Sequence, residues 1–110
     1  MKISYHFNPW TGKNFVITES SVRDCSDLGK NPCHDIAECR EAASIFGFTW
    51  GGDKSFDFNP KSCFVWDRKT VHWNTHETGS KREKTLSICK LGKYACFSLL
   101  HLSFAKPSNF

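Results

Sequence analysis

The stretch Asp35-Ile36-Ala37-Glu38-Cys39-Arg40-Glu41-Ala42-Ala43-Ser44-Ile45-Phe46-Gly47 decides the fold, because it carries both ends and the apolar stripe of one helix. Asp35 stands where an N-cap stands, and Glu38 three residues on completes a capping-box pattern with Asp in the Ser/Thr role. Ile36, Cys39, Ala43 and Phe46 follow at spacings of three, four and three, which places them on one face. Arg40, Glu41 and Ser44 fall largely outside that face. Gly47 is well placed to end the helix in a left-handed conformation. The pattern predicts a helix over 36–46, roughly three turns long. A helix that short is marginal alone, so its stripe must be buried against another layer.

Working outward, that layer reads as a sheet. Upstream, Phe15-Val16-Ile17-Thr18 is aromatic and β-branched and reads as a first strand, while 24–32 is rich in turn residues. Residues 1–14, with Asn8-Pro9 and Thr11-Gly12 as turn signals, read as an irregular lead-in. Downstream, Phe48-Thr49-Trp50 reads as a strand that stops at a Gly51-Gly52-Asp53 turn. Residues 62–66 and 70–73 form a hairpin around Asp67-Arg68-Lys69. Residues 75–84 are polar and read as a long exposed loop, and 85–90 as a last strand. The expected fold is α+β: one short helix on a small antiparallel sheet, stapled by disulfides. A module at 15–93 is followed by an apolar segment at 94–110 that packs on it.

Composition narrows the function classes. A chain of 110 residues holds one domain. Ten Phe, four Trp and two Tyr are far more aromatics than a disordered chain carries. The formal charge of +4 is modest, and its densest part, Lys81-Arg82-Glu83-Lys84, reads as a solvated loop; no nucleic-acid partner is expected. The apolar run from Tyr94 to Ala105 is too short to span a bilayer, which needs about 20 residues, so membrane insertion by this chain is not expected. Residues 1–10 lack the apolar core of a signal peptide.

Six cysteines in so short a chain point to a disulfide framework and hence to an extracellular or cell-surface location. They allow fifteen pairings, among which spacing alone does not choose. A zinc site would show close pairs such as CxxC, and none occurs. His72 and His76 form an HxxxH, but on a strand end and loop where the two need not share a face. Cys33-His34 is the nearest approach to a nucleophile and base, yet chain neighbours seldom point at each other. Asp24, Asp27, Asp35, Glu38 and Glu41 gather near the helix start, where the helix dipole favours them without calcium. No paired carboxylates, phosphate loop or nucleophile elbow occurs, so neither an enzyme nor a cofactor is expected.

The residues Ile36-Ala37-Glu38-Cys39-Arg40-Glu41-Ala42-Ala43, Phe46-Gly47, Pro60-Lys61-Ser62-Cys63-Phe64, Val71-His72-Trp73-Asn74 and Ser87-Ile88-Cys89-Lys90 carry a resemblance over about two thirds of the chain. In these the chain resembles a small cysteine-containing repeat of predicted surface proteins in marine algae and other microbial eukaryotes. Ser62 stands where that repeat has Gly, and Cys33 and Cys96 are extra. The arrangement is also similar to PAN/apple modules, in which a cysteine-bearing helix is tied to an antiparallel sheet. The resemblance implies Cys39–Cys63 and Cys25–Cys89 bridges, and the helix stripe independently turns Cys39 toward the sheet. On the chain-entropy account these would contribute about 3.5 and about 4 kcal/mol. Cys33 and Cys96 are expected to pair with each other, the alternative being one thiol left for an intermolecular link.

The aromatic strands supply the candidate site. If Cys63 and Val65 face the helix, Phe64 and Trp66 face outward, since strand side chains alternate. That outer face is either covered by 94–105 or exposed as an interaction patch. Phe64, Trp66, Arg68, His72, Trp73 and Asn74 are the expected binding residues, for a glycan or a protein. The expected function is a non-catalytic recognition or adhesion module. The alternative is a structural spacer or disulfide cross-linking unit of a surface or wall protein.

Overall fold

The computed structural model describes residues 4–91. The strands are β1 (Ser4–Asn8), β2 (Lys13–Ile17), β3 (Asn31–Pro32), β4 (Thr49–Lys54), β5 (Ser62–Trp66), β6 (Thr70–Asn74) and β7 (Thr85–Leu91), with helix α1 (Ile36–Phe46) between β3 and β4. They form one sheet in the order β1-β2-β7-β5-β6-β4, and the short β3 also pairs with β7. β7 is the hub. Its first half pairs with β5, and its second half pairs with β2 on one side and β3 on the other.

The helix occupies the predicted residues for the predicted reasons. Asp35 accepts a hydrogen bond from the Glu38 N–H at 3.0 Å, and Gly47 closes the last turn at φ +78°. Its buried stripe is shifted, however: Cys39, Ala42 and Ala43 are buried, whereas Ile36 is 37% exposed. Small residues at the contact let the helix lie close on the sheet. There its stripe meets Phe15, Ile17, Cys63, Val65, Val71 and Ile88, which make up the inner core.

Three expectations about strands are corrected. Within the expected irregular lead-in, residues 4–14 form a hairpin instead: β1 pairs with β2 from Ser4↔Ile17 to Asn8↔Lys13, and Asn8-Pro9 and Thr11-Gly12 make its turn. The Asn8 carbonyl accepts from the Gly12 N–H at 2.7 Å. Nor is the sheet wholly antiparallel, since β4 runs parallel to β6. The chain goes from the outer edge to β5, turns, and returns as β6 in the gap between them, so β4 and β6 share a direction.

Gly51-Gly52-Asp53 is strand rather than turn. The ladder pairs Trp50 with Val71 and then Asp53 with Trp73, so Gly51 and Gly52 stand opposite the single residue His72. A side chain at Gly51 would overlap the His72 ring and come within 2.7 Å of Thr70 Cγ2. The two glycines are thus a β-bulge over which β6 lays its outer side chains.

Disulfides clamp both faces of the sheet. Cys39–Cys63 ties the helix to β5 on the inner face, with Cα atoms 5.4 Å apart. Cys25–Cys89 ties the short 3-10 turn Cys25–Leu28 to β7 on the opposite face, with Cα atoms 5.8 Å apart, beside buried Val16. Cys33 is buried and has no cysteine partner among the described residues; its expected partner, Cys96, and the segment 94–110 lie outside them.

A charged cluster stitches the N-terminal hairpin to the helix. The Glu38 carboxylate, buried at 8% side-chain exposure, lies 3.0 Å from Lys13 Nζ and 3.1 Å from Lys90 Nζ. It also accepts the His34 N–H rather than that of Asp35, so the capping box closes one residue early. Burial alone would raise its pKa, but the His34 N–H and the two ammonium groups overcome that and hold the carboxyl below its ordinary value. Beside it, Glu41 accepts hydrogen bonds from the Asn8 amide and the Thr11 hydroxyl, both at 2.6 Å.

Candidate binding cleft on the outer sheet face

The residues that cover the outer face come from a crossover rather than from a strand. To pass from β4 to β5 the chain must clear the end of β6, and in doing so residues 55–61 fold back over the outer side of β5 and β6. Phe56 meets the Phe64 ring at 6.0 Å and the His72 ring at 5.6 Å, both edge to face. Phe58 meets Phe56 at 5.8 Å. Phe64 and His72 themselves stack at 5.6 Å, as a directly opposed pair on β5 and β6.

Asn74 holds this crossover in place. Its side-chain oxygen accepts from the Phe56 N–H at 2.8 Å and from the His76 N–H at 3.0 Å. Its amide nitrogen lies within 3.1 Å of the carbonyls of Phe56, Asn59 and Pro60. One side chain at the end of β6 therefore satisfies the backbone of a turn that has no ladder of its own.

The loop 75–84 then lies on the crossover. The Ser80 N–H donates to the Asn59 carbonyl at 2.7 Å, and the Ser80 hydroxyl to the Asp57 carbonyl at 2.8 Å. This brings Arg82 onto the aromatic surface. Its guanidinium carbon sits 4.4 Å from the Trp66 ring and 4.9 Å from the Phe58 ring, while Nη1 donates to Asn59 Oδ1 at 3.0 Å. The result is an open cleft of about 370 Å³ lined by Phe56, Phe58, Asn59, Phe64, Trp66, His72 and Arg82. Phe58 is 52% exposed at its rim, and Phe64, at 1%, is its floor. Burial lowers the pKa of His72, so its ring is neutral at pH 7.

Of the six expected binding residues, the structure brings three together: Phe64, Trp66 and His72. The other three stand elsewhere. Trp73 alternates to the inner face and packs on the core beside Cys63. Asn74 is 2% exposed and is spent on the crossover backbone. Arg68 sits in the exposed β5–β6 turn at φ +54° and lines a separate groove with Asp67 and Lys84. Phe56, Phe58, Asn59 and Arg82 were missed by sequence reasoning. The alternation Phe56-Asp57-Phe58-Asn59 is the signal that could have found the first three, because two aromatics in a turn segment need a surface to cover.

Cys33 is buried, whereas its neighbour His34 is exposed. The Cys33 thiol is buried 3.7 Å from the Ile88 carbonyl, and burial, followed by the charge of Glu38, pushes its pKa up to about 12. A thiol so placed is protonated at neutral pH. Among the described residues no three His, Cys, Asp or Glu side chains gather as metal ligands, and no helix is long and apolar enough to cross a membrane.

The chain is thus a small α+β module, stapled on both faces, with an aromatic cleft that holds a cation among its described residues. No protein family, curated protein or solved structure matches it.

Proposed function

We propose that this chain is a non-catalytic recognition module of an extracellular or cell-surface protein, and that it binds a glycan through the outer-face cleft. The observation that carries the reading is the cleft itself: the exposed Phe58 ring and the Trp66 ring, with the Arg82 guanidinium lying over both and Asn59 beside them. Aromatic planes pack the apolar face of a sugar ring, and a few fixed polar groups beside them read its hydroxyls. The two disulfides support an oxidising compartment. The likeness to cysteine-containing repeats of surface proteins, and more loosely to PAN/apple modules, points the same way. A cleft without paired carboxylates, metal ligands or an activated nucleophile suits adhesion better than turnover.

The test is a glycan array probed with the wild-type module and with Trp66→Ala, Phe58→Ala and Arg68→Ala. Trp66→Ala and Phe58→Ala should each lose about two- to twelvefold in affinity, since stacking on an aromatic is worth about 0.5–1.5 kcal/mol. Arg68→Ala, in the separate turn, should bind as wild type. If neither aromatic substitution alters binding in a folded protein, the cleft is not the recognition surface.

A further inference from the structure

We infer that the cleft selects sugars bearing a negative charge, with the Arg82 guanidinium as the group that reads it. This rests on the recognition reading above and names its ligand class.

The setting of Arg82 in a cleft that no carboxylate lines carries the inference. The module's inner cations are spoken for: Lys13 pairs with Glu38 and Glu41, and Lys90 with Glu38. The cations at the cleft, like most exposed cations of the module, have no such partner among the described residues. Among the described residues no carboxylate pairs with Arg82, and none pairs with Lys54, whose Nζ stands 5.7 Å from the centre of the Phe56 ring. No carboxylate lines the cleft. The cleft therefore offers uncompensated positive charge against an apolar floor.

The geometry also fixes how that charge is presented. The guanidinium carbon lies over the Trp66 ring at 4.4 Å and the Phe58 ring at 4.9 Å, which holds the group in the cleft. A guanidinium has five N–H donors in one plane, and Asn59 Oδ1 takes one of them through Nη1. The remaining donors form a fork suited to two oxygens of a carboxylate or sulfate. Held by two rings and one hydrogen bond, the fork loses little freedom when a ligand arrives. A neutral sugar could stack on the rings, but it would leave that fork facing only hydroxyls. An acidic sugar fills both roles, ring on aromatic and anion on the fork. Lys54, at the Phe56 end, would meet the charge of a neighbouring residue in an acidic oligosaccharide.

The experiment is calorimetric titration of the module with a galacturonate tetrasaccharide, its carboxyl-reduced neutral counterpart, and a sulfated galactan tetrasaccharide with its desulfated form. Each is run against wild type, Arg82→Gln and Lys54→Gln, with folding of every variant checked by chemical denaturation. At least one charged ligand should bind wild type about tenfold or more tightly than its neutral form, as expected for a charge-assisted fork. That advantage should shrink as salt rises from about 50 mM to about 500 mM, because exposed charges are screened. Arg82→Gln should bring the charged and neutral forms to similar affinity, and Lys54→Gln should weaken the charged form alone. Comparing the two charged ligands tells carboxylate from sulfate.

Neutral forms that bind wild type as tightly as the charged ones would overturn the charge selection while leaving the glycan reading standing. Charged ligands held equally well by wild type and a folded Arg82→Gln would show that the anion is bound elsewhere, and would overturn the inference too. If Arg82→Gln does not fold, Lys54→Gln and the salt series decide: binding indifferent to both sinks the proposal. No binding by any of the four ligands, together with a blank glycan array, would sink the recognition reading itself.

Discussion

Replacing Asn74 with alanine would remove five contacts at once: two N–H groups, of Phe56 and His76, and three carbonyls, of Phe56, Asn59 and Pro60. The bonds to Asn59 and Pro60 are buried; the other three reach partly exposed backbone that water can re-satisfy. Orphaning a buried polar group costs about 1–3 kcal/mol, and losing a partly exposed hydrogen bond about 0.5 kcal/mol. The sum is about 3.5–7.5 kcal/mol, a large share of the stability of a small domain. Asn74→Asp is the informative companion. It keeps the acceptor for Phe56 and His76 but turns a carboxylate oxygen toward three carbonyls, so it should be no milder than alanine. Urea denaturation with the disulfides intact measures both, and hydrogen exchange at the Phe56 and His76 amides shows whether the crossover loosens first. A loss below about 1 kcal/mol for Asn74→Ala would refute the clamp. An Asn74→Asp protein as stable as wild type would refute it as well.

Three further outcomes follow from the same structure. Removing Cys39–Cys63 by double alanine substitution should cost about 3.5 kcal/mol, and removing Cys25–Cys89 about 4.3 kcal/mol, for separations of 24 and 64 residues; denaturation midpoints of the two double variants check the order. Because the folded Glu38 pKa lies below its ordinary 4.5, its contribution is fully present above that pH and is lost as pH falls through the folded value. Glu38→Gln should therefore be less stable than wild type at pH 7 and converge with it in acid; parallel stability–pH curves would contradict the cluster. Gly51→Ala should cost about 1–3 kcal/mol and displace the His72 ring, read from the His72 side-chain resonances, because the added methyl falls on that ring and on Thr70.

Much of the fold was legible because its signals are local. Asp35 and Gly47 mark the ends of the helix, and period-two aromatic and β-branched runs mark β5, β6 and β7. The stripe was misread at Ile36, which is exposed, and missed Ala42, which is buried; the burial of Glu38 had no local sign, because Lys13 and Lys90 arrive from distant strands to neutralise it. β1 was hidden for a similar reason: its Asn-Pro and Thr-Gly steps read as loop punctuation, and only pairing with β2 gives them a hairpin to turn. Gly51-Gly52 looked like a turn because a bulge and a turn use the same residue.

The candidate site divides along the same line. Strand alternation was enough to turn Phe64 and Trp66 outward and to set His72 beside them. Asn74 drew notice as a polar residue next to the aromatics, but its partners are backbone atoms 14 to 18 residues earlier, which no local pattern displays. Arg82 sat in a charged run that reads as a solvated loop. Only the hydrogen bonds that lay 75–84 on the crossover carry it to Trp66.

The most direct test of the architecture is a peptide map of the unreduced protein by mass spectrometry, after expression in an oxidising compartment and alkylation of any accessible thiol. The account predicts peptides joined through Cys25 and Cys89, and through Cys39 and Cys63. Alkylation of those four residues without reductant, or a different pairing among them, would contradict it.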